Sequence, residues 1–408
     1  MTMKKTTAFL AFAGACALAV TGPATLAAPP SPADAHPATG ATASSLPVGD
    51  VDTALTSKSG QTSQPDQVTP TAEQDASAIV GIIVQLHEGS DRAASLASIN
   101  EAVASAFPGE SAQVQREYDK ALEGFALSAP AGSLDAIRAA SGVKGAFLER
   151  ETRVSDVDEV DAEGGTQAPR LSTQHPDNLS AQIMMRADQL TQKGEGKVVA
   201  VIDTGVEMTH PAFSGAMPST PALTADKVGA LTPQLGEGKQ GVYVSEKFPF
   251  AYDYADGDND AMPAKGSYGS HGTHVAGITA GNADQIVGVA PEAQIIVAKV
   301  SRSSDGEIPD SALLASLDDM VVLHPDVVNL SLGQLGGMDN EADSVYASVF
   351  KKLQDEGVSV NAAAGNHYSA GYGNTSGRNL PYASDPDSST QCEPATYSSV
   401  LAVASVDN

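Results

Sequence analysis

Basic residues and cysteine are both scarce in this chain, and each shortage removes a class of function. Lys and Arg total 23 against 50 Asp and Glu in 408 residues, a formal net charge of −27 at pH 7. Such a surface repels phosphate backbones and anionic membranes, so no nucleic-acid partner is expected. The two cysteines are Cys16 and Cys392. Cys16 lies in an N-terminal segment expected to be removed, which leaves Cys392 alone and allows no disulfide in the remaining stretch. Stability must then come from burial, for which a chain of this length has room. No His or basic cluster adjoins Cys392 in sequence to lower its thiol pKa, so a small, semi-buried residue is expected there and not a nucleophile. The N-terminal apolar run over 8–20 is too short to span a bilayer. It follows Lys4 and Lys5 and leads into the small residues Thr25-Leu26-Ala27-Ala28, which reads as a secretory signal over 1–28, cut after Ala27 or Ala28, with a buried core helix as the alternative. No large aliphatic residue precedes Ala13-Gly14-Ala15, so a lipid anchor on Cys16 is not favoured. No transmembrane segment is expected, and the location implied is extracellular or at the cell envelope.

Residues 29–76 are rich in Ala, Pro, Ser, Thr and Gly and almost lack large apolar side chains. Such a composition cannot offset the entropy of ordering, and a disordered spacer is expected. From 77 the character changes. Strands are expected over 79–84, 118–128 and 143–148, with helices over 92–106 and 133–140, a βαβαβ pattern for a compact α+β module over 77–153. Residues 154–171 are acidic and weakly apolar, the composition of a solvated linker open to proteolysis. A larger unit fills 172–408. Its strand candidates, 198–202, 294–300, 327–332, 358–363 and 400–405, are nearly all apolar, as strands covered on both faces must be. Helices are expected at 271–280, 310–323 and 342–356, the last closed by Gly357. The repeated β-α-β spacing implies a doubly wound parallel sheet of the α/β class, with chemistry at the carboxyl ends of its strands.

Three segments stand at those ends. Asp203 follows the strand Val198-Val199-Ala200-Val201-Ile202 and precedes Thr204-Gly205; alone, it reads equally as a turn or capping residue. His271 opens a helix in His271-Gly272-Thr273-His274-Val275-Ala276-Gly277, where an imidazole held by a buried carboxylate can act as a general base. The alternatives are a structural histidine, or His271 and His274 as zinc ligands at i and i+3, a pattern weakened by Gly272 standing where a zinc hydrolase has Glu. Ala362-Ala363-Ala364-Gly365-Asn366 ends another strand, with small residues that leave room for a substrate side chain and an amide able to donate to an oxyanion. Tight packing alone would also account for it.

Taken together, Asp203-Thr204-Gly205, the His271 segment, Asn329-Leu330-Ser331-Leu332-Gly333 and Ala364-Gly365-Asn366 resemble the subtilisin-like serine peptidases, in that family's Asp-then-His-then-Ser order. The resemblance covers about 197–408. It implies that Asp203 orients His271, that His271 deprotonates a serine, and that Asn366 helps bind the oxyanion. It also implies that Ser331, Leu332 and Gly333 pair with substrate backbone, with Ala363, Ala364 and Gly365 lining the cleft. The module over 77–153 resembles the family's inhibitory prosegment, a small ferredoxin-like α+β unit. Residues 252–263 and Gly266-Ser267-Tyr268-Gly269-Ser270 resemble the lactocepin-type cell-envelope proteinases. The partners implied are protein or peptide substrates and the chain's own prosegment, with no cofactor and no metal. A second reading is a catalytically inactive peptide-binding module on the same fold.

The family's Gly-Thr-Ser-Met-Ala segment is missing, and Asn374-Thr375-Ser376-Gly377 comes too soon after Asn366 to replace it, so the serine is expected beyond residue 408 and this stretch alone is expected to be inactive. The loop at 281–286 is shorter than the calcium loop of the secreted bacterial subtilisins, and Ala212 stands where they place a ligand carboxylate. Asp256, Asp258 and Asp260 are spaced like a calcium loop, but the Gly and the closing Glu are absent, and a solvated acidic loop is expected.

Overall fold

The computed structural model describes residues 9–13, 15–19, 75–153, 177–236, 241–264, 269–284, 286–334, 345–365 and 391–404. Phe9–Ala13 (β1) and Ala15–Ala19 (β2) pair antiparallel. No helix among the described residues is long and apolar enough to cross a membrane.

The first module is built from Ile79–Leu86 (β3), Arg92–Ala106 (α1), Gln113–Asp119 (β4), Glu123–Pro130 (β5), Leu134–Arg138 (α2) and Val143–Leu148 (β6). Asp91 starts α1 by accepting the Ala94 N–H at 3.0 Å, an N-cap of the expected kind. The single strand expected over 118–128 is in fact a hairpin, β4 and β5, turning at Lys120–Leu122, so the pattern is βαββαβ and the sheet order is β4-β5-β3-β6. Side chains in a strand alternate between faces, and β3 uses both. Ile82 and Val84 pack with Ile99, Val103 and Ile137 from the module's own helices, whereas Ile83 joins Tyr118 and Ala126 in the core of the second unit. Burial on both faces explains the consecutive apolar residues Ile82, Ile83 and Val84.

After the short strand Glu151–Arg153 (β7) and the helix Asp177–Met184 (α3), the second unit runs through Val198–Asp203 (β8), Ala225–Leu231 (α4), Phe250–Asp253 (β9), His271–Ala280 (α5) and the tiny strands Asn282–Ala283 (β10) and Ile286–Val287 (β11). It continues with Gln294–Lys299 (β12), Glu307–Pro309 (β13), Asp310–Leu323 (α6), Val327–Leu330 (β14), Val345–Asp355 (α7), Ser359–Ala363 (β15) and Val400–Val403 (β16). Six strands form one parallel sheet in the order β16-β15-β14-β8-β12-β9. Strand β9, absent from the sequence-based strands, closes one edge. Every residue of β8 is buried. Val199 and Val201 face Val275, Ala276 and Ala280 of α5, and Ala200 and Ile202 face Leu314 and Leu317 of α6 and Phe350 of α7. Each Val, Ile, Leu or Phe side chain among these contributes about 1.5–3 kcal/mol by leaving water. Gly357 closes α7 at φ 84°, the left-handed conformation in which glycine meets no Cβ penalty.

Candidate active site

Strand β8 lies inside the sheet and ends on Asp203, which is 1% exposed. The Thr204 N–H donates to Asp203 Oδ1 at 2.7 Å. The chain then turns at Gly205, φ 98°, where a Cβ would stand 2.7 Å from the Ala261 carbonyl oxygen. Helix α5 arrives from the other side. Its Gly272 N–H donates to Thr204 Oγ1 at 3.0 Å, and a Cβ on Gly272 would stand 2.3 Å from the Gly205 carbonyl oxygen. Glycine at 272 therefore lets the first turn of α5 reach the Asp203 turn, and the result is His271 Nδ1 at 2.8 Å from Asp203 Oδ1.

A carboxylate can only accept, so Nδ1 carries the proton and Nε2 is the basic nitrogen of the neutral ring. Burial opposes a charge on the imidazole. The Asp203 carboxylate, by its charge and its hydrogen bond, outweighs that and raises the His271 pKa above its ordinary 6.5. His274, one helical turn on, has an accessible face, while partial desolvation by the atoms packed around its ring, and then His271, hold it below the ordinary value. Among the described residues no group of three His, Cys, Asp or Glu side chains is arranged to hold a metal ion.

Ser331, Leu332 and Gly333 follow β14, and Gln334 exchanges backbone hydrogen bonds with Glu393 at 2.9 and 3.0 Å. Ala363 ends β15. The Ala364 N–H donates to the Val403 carbonyl at 2.8 Å and its carbonyl accepts from Cys392 N–H at 2.9 Å. Gly365 has φ 109°, and a Cβ there would lie 2.4 Å from Cys392 Sγ. The segment 391–394 thus braces both candidate substrate-binding stretches from behind. Cys392 is buried, its thiol pKa pushed up by that burial, in keeping with a packing role. Asn366 lies outside the described residues.

The acidic loop differs from a solvated one at Asp256. Lys299 is fully buried at the end of β12, in register with Asp203, and its ammonium pairs with the Asp253 carboxylate and, at 3.3 Å, with Asp256. Asp256 also accepts the Ser303 N–H at 2.9 Å. Burial pushes its carboxyl up, but these partners outweigh it and hold the carboxyl below the usual range. The sequence signal was available in the unusual lysine at the end of an apolar strand, since a buried ammonium needs acceptors, a carboxylate above all, to offset its desolvation.

The first module is laid across α6. Asp318 Oδ1 accepts the N–H groups of Lys120, Ala121 and Leu122 at 3.0, 2.7 and 3.3 Å, and Oδ2 accepts that of Asp119 at 3.3 Å. Tyr118 Oη donates to the Ser311 carbonyl at 3.1 Å. Further along, β7 pairs antiparallel with β13, Glu151 opposite Pro309, Thr152 opposite Ile308 and Arg153 opposite Glu307. Neither the four-donor cap nor the β7–β13 ladder was visible in the sequence. The buried carboxylates Asp310 and Asp318 of α6 are the trace the interface leaves there.

A doubly wound α/β domain with an imidazole–carboxylate pair at the carboxyl edge of its sheet has the framework of a hydrolase that works through an activated nucleophile. Residues 194–408, more than half of the chain, match the Subtilase family (Peptidase_S8), and the chain belongs to that family. It is 31% identical over 271 residues to the PI-type proteinase of Lactococcus lactis subsp. cremoris, covering 63% of this chain and 14% of that protein. It is 30% identical over 255 residues to the C5a peptidase of Streptococcus pyogenes serotype M6, covering 59% of this chain and 21% of that protein. The crystal structure of fervidolysin from Fervidobacterium pennivorans aligns with a TM-score of 0.45 at 20% identity, covering 72% of this chain and 41% of that one. The chain therefore spans a small part of the length of the relatives it matches.

Proposed function

We propose that the complete protein is a secreted or cell-envelope serine endopeptidase, made as a precursor, in which Asp203 and His271 activate a serine carried beyond residue 408. The observation that carries this reading is the 2.8 Å contact between His271 Nδ1 and Asp203 Oδ1, which leaves Nε2 as the proton acceptor. In the reaction Nε2 takes the serine hydroxyl proton as Oγ attacks the scissile carbonyl carbon, then passes that proton to the leaving amine; water repeats the sequence to release the acyl group. The Asn366 amide donates to the oxyanion as its charge develops. Ser331, Leu332 and Gly333 align the substrate backbone, and Ala363, Ala364 and Gly365 line the cleft. A biotinylated fluorophosphonate added to the secreted full-length protein should label it at one serine and abolish peptide hydrolysis, while chelators should leave hydrolysis intact. Loss of activity to chelators without labelling would sink the reading and favour His271 and His274 as metal ligands.

The module over 77–153 acts in this reading as an intramolecular inhibitor, severed within 154–171. The four backbone donors on Asp318 support it, because one carboxylate shared by several N–H groups of the module ties its hairpin turn to α6. Asp318→Ala strands those donors and should weaken retention of the severed prosegment by roughly 10²-fold, corresponding to about 3 kcal/mol for lost charged hydrogen bonds. Gel filtration of the processed protein checks this. Wild type should carry the prosegment with it and the variant should shed it; equal retention would remove Asp318 from the interface.

A further inference from the structure

We propose that the cleft contains an anionic subsite, formed by Asp310 and Glu393 beneath the ring of Tyr346, that selects an arginine side chain of the substrate at one fixed position upstream of the cleaved bond. This deepens the peptidase reading and rests on it.

The β7–β13 ladder runs one step further than its three paired residues. The Asp310 N–H donates to the Arg150 carbonyl at 3.0 Å, and the Arg150 N–H donates to Asp310 Oδ2 at 3.0 Å, so a side-chain carboxylate takes the place of the next backbone carbonyl. The guanidinium is held at the same spot. Its Nε donates to Asp310 Oδ2 at 3.2 Å, and Nη1 and Nη2 donate to the two oxygens of Glu393 at 2.9 and 3.2 Å. Cζ lies 5.9 Å from the centroid of Tyr346, and Tyr346 Oη donates to Asp310 Oδ1 at 2.7 Å. Leu313, Leu332 and Gly333 complete the walls.

Every recognition element of this notch belongs to the second unit, and the cation belongs to the first. When the prosegment leaves, Arg150 leaves with it. Two carboxylates remain, with side chains only 10% and 14% exposed in the occupied state, and Arg150 is the one Lys or Arg paired with either among the described residues. Burial pushes the Asp310 carboxyl up even against the pull of Arg150 and Tyr346, so losing Arg150 favours its protonated form, and a substrate guanidinium in the same place restores the ionised pair with Asp310 and Glu393. A neutral side chain there would leave both carboxylates desolvated against it, which is discrimination as well as attraction. The fork of donors across Glu393 matches guanidinium geometry and favours Arg over Lys. Substrate backbone that adds to β13 as β7 does must place one particular residue opposite Asp310.

The test uses the matured full-length enzyme on a library of peptides read by mass spectrometry. Arginine should be enriched at a single upstream position, as far from the cut as Arg150 stands from the first cut in the prosegment. A peptide pair differing only by Arg or Gln at that position should differ roughly tenfold in kcat/KM, the scale of a partly exposed charged hydrogen-bond set. That ratio should fall toward one in Glu393→Gln and in Asp310→Asn, two independent variants in case one fails to fold, and it should shrink with added salt. Cleavage with no upstream arginine preference, or a preference that survives both substitutions, would overturn the subsite while leaving the peptidase reading standing. No cleavage and no fluorophosphonate labelling would overturn both.

Discussion

His271→Ala in the complete enzyme should lower kcat by about 10⁶-fold, the loss that removing the catalytic histidine causes in subtilisin itself. Without Nε2 no group is placed to take the serine proton, and the remaining oxyanion donors and substrate contacts supply only a residual rate. The fold should be unaffected. The start of α5 is anchored by the Gly272–Thr204 hydrogen bond, which does not involve the imidazole, and the His271 side chain is 19% exposed. A second readout separates chemistry from misfolding: the variant should keep its prosegment covalently attached when expressed without other proteases, yet show an unchanged melting temperature. Hydrolysis within tenfold of wild type would remove His271 from the mechanism.

Asp203→Asn should cost about 10⁴-fold in kcat, because an amide at that position can donate to Nδ1 and turn the imidazole into the tautomer whose Nε2 carries the proton. The same substitution should move the acid limb of kcat/KM. The working form of the ring is neutral, so activity is lost as pH falls through the His271 pKa. In the wild type Asp203 raises that pKa above 6.5, and the limb should lie above 6.5. In the variant the burial that opposes charging remains while the carboxylate is gone, and the limb should move below 6.5. Stopped-time assays across pH 5–9 on the two proteins decide this; coincident limbs would show that Asp203 does not act on His271.

Much of the fold was legible because local sequence decides it. The helices 271–280 and 310–323 and the strand 143–148 coincide with their sequence-based bounds, since apolar periodicity and flanking Gly, Pro or Asp act within a few residues. The hairpin at 113–130 was missed in part because β4 exposes most of its residues and carries little apolar pattern. Strand β9 was missed because four residues between loops give too short a window for any period to show.

Local pattern along the chain sets the period of each element and puts an Asp, a His and an Ala-Ala-Gly-Asn segment at strand or helix ends, which is enough for the family. Which of these residues meet follows from packing alone. Asp203 and His271 are 68 residues apart and meet because β8 lies inside the sheet while Gly272 admits α5 to its end. Arg150 and Glu393, 243 residues apart, meet because β7 adds to β13 while residues 391–394 brace the floor beneath it. Pattern along a chain is set by neighbours three or four residues away, whereas a site is set by sheet order and by where glycine permits close approach, and no local window contains either.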